Sequence, residues 1–199
     1  MSFYDSRIRK TEKKERLKEE LNDYKGWDEK EAMYRSVGII IRLNKIGVTE
    51  INLKNQFLSG ANLDNINLQK SNISYAKLVD TELKYSDLRN IDLFDSDLSG
   101  ADLSSSKLSG ADLRRAKLIG SNFSNAILID VDLRNTTLSK STDFSQCNLL
   151  GAKVSSINFF KSNLDILALK DVEQRYYIDP IVKIDPFDSE YYVIKERNS

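Results

Sequence analysis

Asp95, Asp97 and Asp102 lie close together in the sequence, and carboxylates at such spacing are the raw material of general acid–base catalysis or of a calcium site. The rest of the chain gives them little to work with. It contains no histidine, which removes the commonest general base at neutral pH, the usual partner of a Ser or Cys nucleophile and the commonest transition-metal ligand. Cys147 is the one cysteine, so neither an intrachain disulfide nor a Cys-x-x-Cys site can form. The glycines are dispersed, never arranged as a phosphate-binding Gly-x-Gly-x-x-Gly or as a Gly-Gly-x-Gly-x-Asp calcium nonapeptide. The expectation is a chain with no catalytic residues, no metal and no cofactor. Asp97 and Asp102 are expected in water, where nothing shifts their pKa.

The frame that holds these residues is a period of five. From Leu53 to Leu138 every fifth residue is Leu, Ile or Phe, 18 positions without a break. One extra residue falls before Phe144, and the period resumes through Leu149, Val154, Phe159, Leu164 and Leu169, for 24 positions in all. Two residues earlier runs a column of mostly small side chains, among them Ala61, Ala76, Ser86, Ala101, Ser106, Ala111 and Cys147. Between the two columns stands a polar residue in most repeats, such as Asn62, Asp92 or Asp112. No single helix buries this pattern, because five steps of about 100° turn an apolar stripe by about 140° per repeat. No flat strand does either, because five is odd and the large residue would change face each time. The chain must turn a corner in every repeat and wind about an axis, stacking side chains from successive coils into one core. Gly60, Gly100, Gly110, Gly120 and Gly151, or Asn55, Asn65, Asn90, Asn125 and Asn135, fall two residues after a large one, where a tight corner needs unusual backbone angles. Cys147, in the small inward column, is expected to be a buried filler rather than a reactive thiol.

Runs such as Ala-Asp-Leu-Ser-Ser (101–105) and Ala-Asp-Leu-Arg-Arg (111–115) closely resemble the pentapeptide-repeat family. That resemblance implies an all-β solenoid, a right-handed quadrilateral β-helix with four pentapeptides per square coil. Applied here it implies about six coils, a rod on the order of 25–30 Å long, with a bulged corner at the extra residue between Ser139 and Asp143.

Three units follow: an N-terminal helical cap over 1–47, the β-helix over 48–170, and a C-terminal extended, tyrosine-rich tail over 171–199. The cap reads as two helices. The first is charge-dense with Leu17, Leu21 and Tyr24 at helical spacing, and Gly26 ends it. The second opens on a capping box of Asp28 and Glu31 with Trp27 as a hydrophobic staple, presents Met33, Val37, Ile40 and Ile41, and closes at Gly47. In the tail, Pro180 and Pro186 favour an extended path, and the tyrosines serve either as a lid or as an interface.

Function is then expected on the outside of the rod. Lys and Arg balance Asp and Glu at 30 each, so no long-range field draws the whole molecule to nucleic acid or membrane. The N-terminus has no apolar signal core, and the longest apolar run is far too short for a bilayer, so a cytoplasmic location is expected. The leading expectation is a non-enzymatic scaffold for a protein partner, with no direct nucleic-acid or membrane contact. Folding the repeats into rows of 20 places Ile127, Ile129 and Leu150 together as an apolar contact site. A homodimer is expected through the C-terminal end, where an open coil invites edge pairing and Tyr176, Tyr177, Tyr191 and Tyr192 contribute. By resemblance to family members that mimic DNA and bind type II topoisomerases such as gyrase, the alternative is a topoisomerase modulator. Residues 51–170 hold 14 Lys/Arg against 13 Asp/Glu, which argues against mimicry. One acidic side nevertheless collects Asp64, Glu82, Asp102, Asp143 and Asp165 around Lys84.

Overall fold

The computed structural model describes residues 3–156, 159–163, 172–180, 183–184 and 190–197. Along the repeats, each residue of the polar column pairs in parallel with its counterpart one coil later, and four ladders result. Face I runs through Asn52, Asn72, Asp92, Asp112, Asp132 and Lys153; face II through Phe57, Lys77, Asp97, Lys117 and Thr137. Face III runs through Asn62, Glu82, Asp102, Asn122 and Asp143; face IV through Asn67, Asp87, Lys107, Ile127 and Asn148. The coil is therefore four-sided, with one repeat on each side.

Both inward columns fill the interior. Leu103, Leu108, Leu113 and Leu118, on four successive sides, are fully buried, as are Ala101, Ser106, Ala111, Ala116 and Cys147. Each buried Leu contributes about 1.5–3 kcal/mol through lost contact with water. Inward hydroxyls are satisfied locally: Ser106 donates to the carbonyl of Leu103 and Ser121 to that of Leu118, as buried polar groups require. Phe123 and Phe144, one coil apart, stack with ring centroids 5.2 Å apart.

Each corner is a β-turn. The N–H that opens a repeat donates to the carbonyl of the previous large residue, as Gln56 does to Leu53 at 3.1 Å, and the third turn residue has positive φ, 61° at Asn55 and 71° at Gly60. That is the type II requirement for Gly or Asn. A Cβ at Gly100 would lie 2.1 Å from Asp80 Oδ1, so a larger residue there requires the Asp80 side chain to move. The extra residue makes the expected bulged corner. The rung from Asn122 reaches Asp143, one residue beyond the regular step, while Thr142 Oγ1 accepts from Ser139 N–H and donates to the Leu118 carbonyl.

Helix α1 (Phe3–Asn22) and helix α2 (Lys30–Lys45) close the first coil. Leu17, Leu21, Met33, Ile39, Ile40 and Leu43 join Ile51, Leu53 and Leu58 in one buried cluster. Gln56, an oversized member of the small column, donates to the Leu21 carbonyl and accepts from Ser36 Oγ. Asn44 does what a preceding coil would do on face IV: its carboxamide accepts from Asn67 N–H and donates to the Asn67 carbonyl. The start of α2 differs from expectation. Its N-cap is Glu29 with no side-chain capping bond. Asp28 pairs with Lys77 instead, Glu31 reaches forward to Arg35 at 2.7 Å, and Trp27 is exposed. Ile39, not Ile41, lies on the buried face.

The far end also departs from the repeat register. Strand β1 (Lys153–Val154) is followed by the short helix α3 (Phe159–Asn163), then β2 (Tyr176–Ile178), β3 (Lys183–Ile184) and β4 (Glu190–Glu196). Strand β4 runs antiparallel to β1, pairing Lys153 with Val193, and β2 and β3 pair with β4. The face I edge that another coil would use is thus taken. Phe159 sits in α3 rather than at an inward repeat position; Leu164 and Leu169 lie outside the described residues. Among the described residues, no helix is long and apolar enough to cross a membrane.

Candidate interaction surfaces

The polar column has a structural task that its composition did not reveal. The side-chain oxygen of Asn52 accepts the backbone N–H of Lys54, and the same i to i+2 bond recurs from Asn72 to Ser74, Asp92 to Phe94, Asp102 to Ser104, Asp112 to Arg114, Asp132 to Arg134 and Asp143 to Ser145. These are Asx-type turns that steer the chain into its corner. Most outward carboxylates are therefore occupied by the backbone that carries them.

The three carboxylates that could have formed a catalytic group do not converge. Asp95 stands at a corner of face I, 3.1 Å from Arg115. Asp97 belongs to face II and Asp102 to face III. Asp97 does have a shifted pKa, contrary to expectation: burial pushes its carboxyl up, but the Ser99 hydroxyl and N–H, with Lys117 beside it, outweigh that and hold it below the usual carboxylate range. The Arg89 guanidinium lowers Asp87 in the same way. Among the described residues, no group of three or more His, Cys, Asp or Glu is placed to hold a metal ion.

The acidic side is a true column. Glu82 and Asp102 are adjacent rungs of face III, and Asn122 separates them from Asp143. Lys84 stands inside it, its Nζ 3.5 Å from Asp64, its pKa raised first by Asp64 and then by Glu82. Asp64 also accepts the Lys84 N–H, and Asn62 bonds to Glu82. Asp165 lies outside the described residues.

The apolar trio is together on face IV. Ile129 and Leu150 occupy the same corner column of consecutive coils, where Asp130 N–H meets the Leu150 carbonyl. Ile127 is 38% and Leu150 40% exposed, and Ile129 beside them is half-buried. The four tyrosines are not one patch. Tyr176 is buried, its hydroxyl on the Cys147 carbonyl. Tyr191 lies under Arg134 and Lys153, at 5.0 and 5.3 Å, and Tyr192 pairs with Val154 and packs on the core. Only Tyr177 of the four is exposed.

A further strip escaped the sequence reading. Lys54 lies over the Tyr75 ring at 5.0 Å, Tyr75 meets Phe94 edge-on at 5.6 Å, and Arg114 and Arg115 lie over Phe94 at 5.5 and 5.6 Å. Tyr75 holds a positive φ of 59°, unusual for a bulky residue. The signal was available, since these residues recur at nearly one coil's spacing.

A four-sided solenoid of five-residue repeats, filled by Leu and small residues and turned by Asn, Asp and Gly, defines a class of β-helical protein. The chain belongs to the pentapeptide repeat family: the model for pentapeptide repeats matches residues 49–84, 80–110, 106–142 and 126–165. The coil is accordingly a right-handed β-helix. Among solved structures, a pentapeptide repeat protein from the Arabidopsis thaliana thylakoid lumen is 27% identical, with 53% of this chain and 67% of that one covered and a TM-score of 0.40. A pentapeptide repeat protein from Nostoc PCC 7120 is 29% identical over 65% of this chain and 93% of that one, with a TM-score of 0.46. QnrB1, a plasmid-mediated fluoroquinolone resistance protein, is 18% identical over 52% and 67%, with a TM-score of 0.24. No curated protein matches the chain.

Proposed function

We propose that the protein is a non-enzymatic interaction scaffold, a rod of about five coils in register rather than six, that presents rigid faces to a protein partner. The carrying observation is the division of labour on its surface. The Asn and Asp column is bound to its own turns, so the residues that depart from that pattern are the ones left for contact. Ile127 stands where an Asx bond is usual, and with Ile129 and Leu150 makes an exposed apolar cluster on a rigid face, the kind of site that a partner covers. A photo-crosslinking residue at position 127, compared with one at position 117 on the opposite face of the rod, tests this in the native host. A single abundant adduct specific to 127 is expected; equal labelling from both positions overturns the reading.

A second reading, modulation of a type II topoisomerase, rests on the column of Glu82, Asp102 and Asp143. Lys84 and the turn bonds weaken it, because a phosphate mimic needs uncommitted negative charge. A gyrase supercoiling assay over a wide concentration range decides it, and an unchanged product ladder removes it. β4 occupies the face I edge of the last coil, so a second copy cannot extend the ladder on that face. The homodimer proposal that remains uses the outer surface of the lid, where Tyr177 is exposed, and light scattering of the full chain against Tyr177→Ser tests it.

A further inference from the structure

Helix α1 does two different things along its length. Leu17 and Leu21, near its C-terminal end, are buried on the first coil. Arg7, Lys10 and Lys14 continue the same side of the helix toward its start, at three- and four-residue steps, but there the apolar residues give way to cations. Glu12 and Glu19 fall on the outer side, and Glu15 flanks the row, 3.9 Å from Lys14. The basic stretch overhangs the body and leaves a cleft of about 340 Å³, walled by Arg7, Lys10, Thr11 and Lys14 and floored by Ile46 and Val48. One turn further along α1, Lys18 and Leu21 with Ile51 and Asn52 line a second, smaller cleft of about 120 Å³.

At that end lies an unextended strand edge. Asn67 has its N–H and carbonyl satisfied by the Asn44 carboxamide, whereas among the described residues the N–H and carbonyl of Asn52 make no hydrogen bond. Asn52 is exposed. Along this side of α1 the groove formed by the two clefts offers three things: a row of cations, an apolar floor and a pair of backbone groups free to pair.

We infer that this groove binds a carboxylate-rich polypeptide segment of a partner protein. Its acidic side chains meet Lys10, Lys14 and Lys18, its interspersed apolar side chains rest on Ile46 and Val48, and its backbone reaches the Asn52 edge, as in recognition by strand addition. The cation row alone would suit any polyanion. The apolar floor and the strand edge favour polypeptide over nucleic acid, which has phosphates and sugars where these contacts are offered. The site is separate from the rod faces invoked above, so its occupancy and theirs can succeed or fail independently.

Fluorescence anisotropy of a labelled peptide of repeated Glu-Glu-Leu, titrated with the full chain, tests the proposal. Saturable binding is expected. Lys10→Glu combined with Lys14→Glu should weaken it about tenfold, as the loss and reversal of two exposed charge contacts implies. Val48→Asp should weaken it separately, and a Lys-Lys-Leu peptide should not bind. Circular dichroism melts report whether the variants keep their fold; the charge reversals lie on an exposed helix surface and should leave them unchanged. Binding that survives the double reversal in a folded variant overturns the site. A single-stranded DNA oligomer bound as tightly as the peptide, with both indifferent to Val48→Asp, overturns the partner class.

Discussion

Asn44 closes the first coil by imitating a neighbouring strand, and removing its side chain tests that directly. Its Nδ2 donates to the carbonyls of Asn67 and Val48, and its Oδ1 accepts from Asn67 N–H. A hydrogen bond contributes about 1 kcal/mol net, and leaving its partner unsatisfied costs about 1–3 kcal/mol when buried. The site is only partly buried, so water can recover some of the loss. Asn44→Ala should therefore destabilise by about 2–3 kcal/mol. Urea unfolding followed by circular dichroism measures it, with an unchanged slope confirming that the same surface is exposed on unfolding. Asn44→Asp gives the sign of the electrostatics. Its carboxylate would face two carbonyl oxygens at neutral pH, which raises its folded-state pKa. A raised carboxyl pKa means that the folded state takes up a proton before the unfolded one does, so the deficit of this variant shrinks as pH falls through that raised value. An alanine variant within about 0.5 kcal/mol of the parent would refute the strand-mimic account and leave the cap held by its apolar contacts alone.

Leu113→Ala should cost about 2–5 kcal/mol through lost burial and a cavity, and parent-like stability in urea would break the register. Asp87 and Asp97 have lowered folded-state pKa values, so their contribution is present above the usual carboxylate range and is lost as pH falls through the lowered values. Acid titration of Asp87→Asn combined with Asp97→Asn should show a flatter decline than the parent; superimposable curves would deny the linkage. Truncation after residue 170 removes β4, which supplies the buried Ile194 and the edge pairing of β1. The product should aggregate, and a folded monodisperse species by light scattering would show that the coil closes without its lid.

The core and the corners were legible because they depend on nearest repeats. Five-residue spacing of Leu53, Leu58 and their successors leaves one way to bury them, and the positions of Asn55 and Gly60 follow from the turn. What lay beyond one coil was less visible. The pairing of Asn44 with Asn67 joins residues 23 apart through a side chain that looks like any polar residue at a helix end. Phe159 and Leu164 kept the period, but period alone cannot show that β4 arrives from nearly forty residues away to take the last edge. Asp97 and Asp102 stand at outward positions, but outward is not the same as free, because the N–H groups two residues on bind their carboxylates. The acidic and apolar columns were found because rows of 20 match the real coil, and the Tyr75 to Phe94 strip would have emerged from the same rows.

The corner at Ser139–Thr142 absorbs one residue and returns Asp143 to face III beneath Asn122. A whole added pentapeptide would do the reverse. It would preserve the inward pattern of large and small residues and every turn, yet hand each later residue to the next side of the square, moving Ile127 away from Leu150's neighbours or carrying both to a face with different company. Changes of length in this chain thus obey a phase rule. One residue at a corner is silent, four repeats lengthen the rod and keep its faces, and one to three repeats rewrite the surface without disturbing the fold.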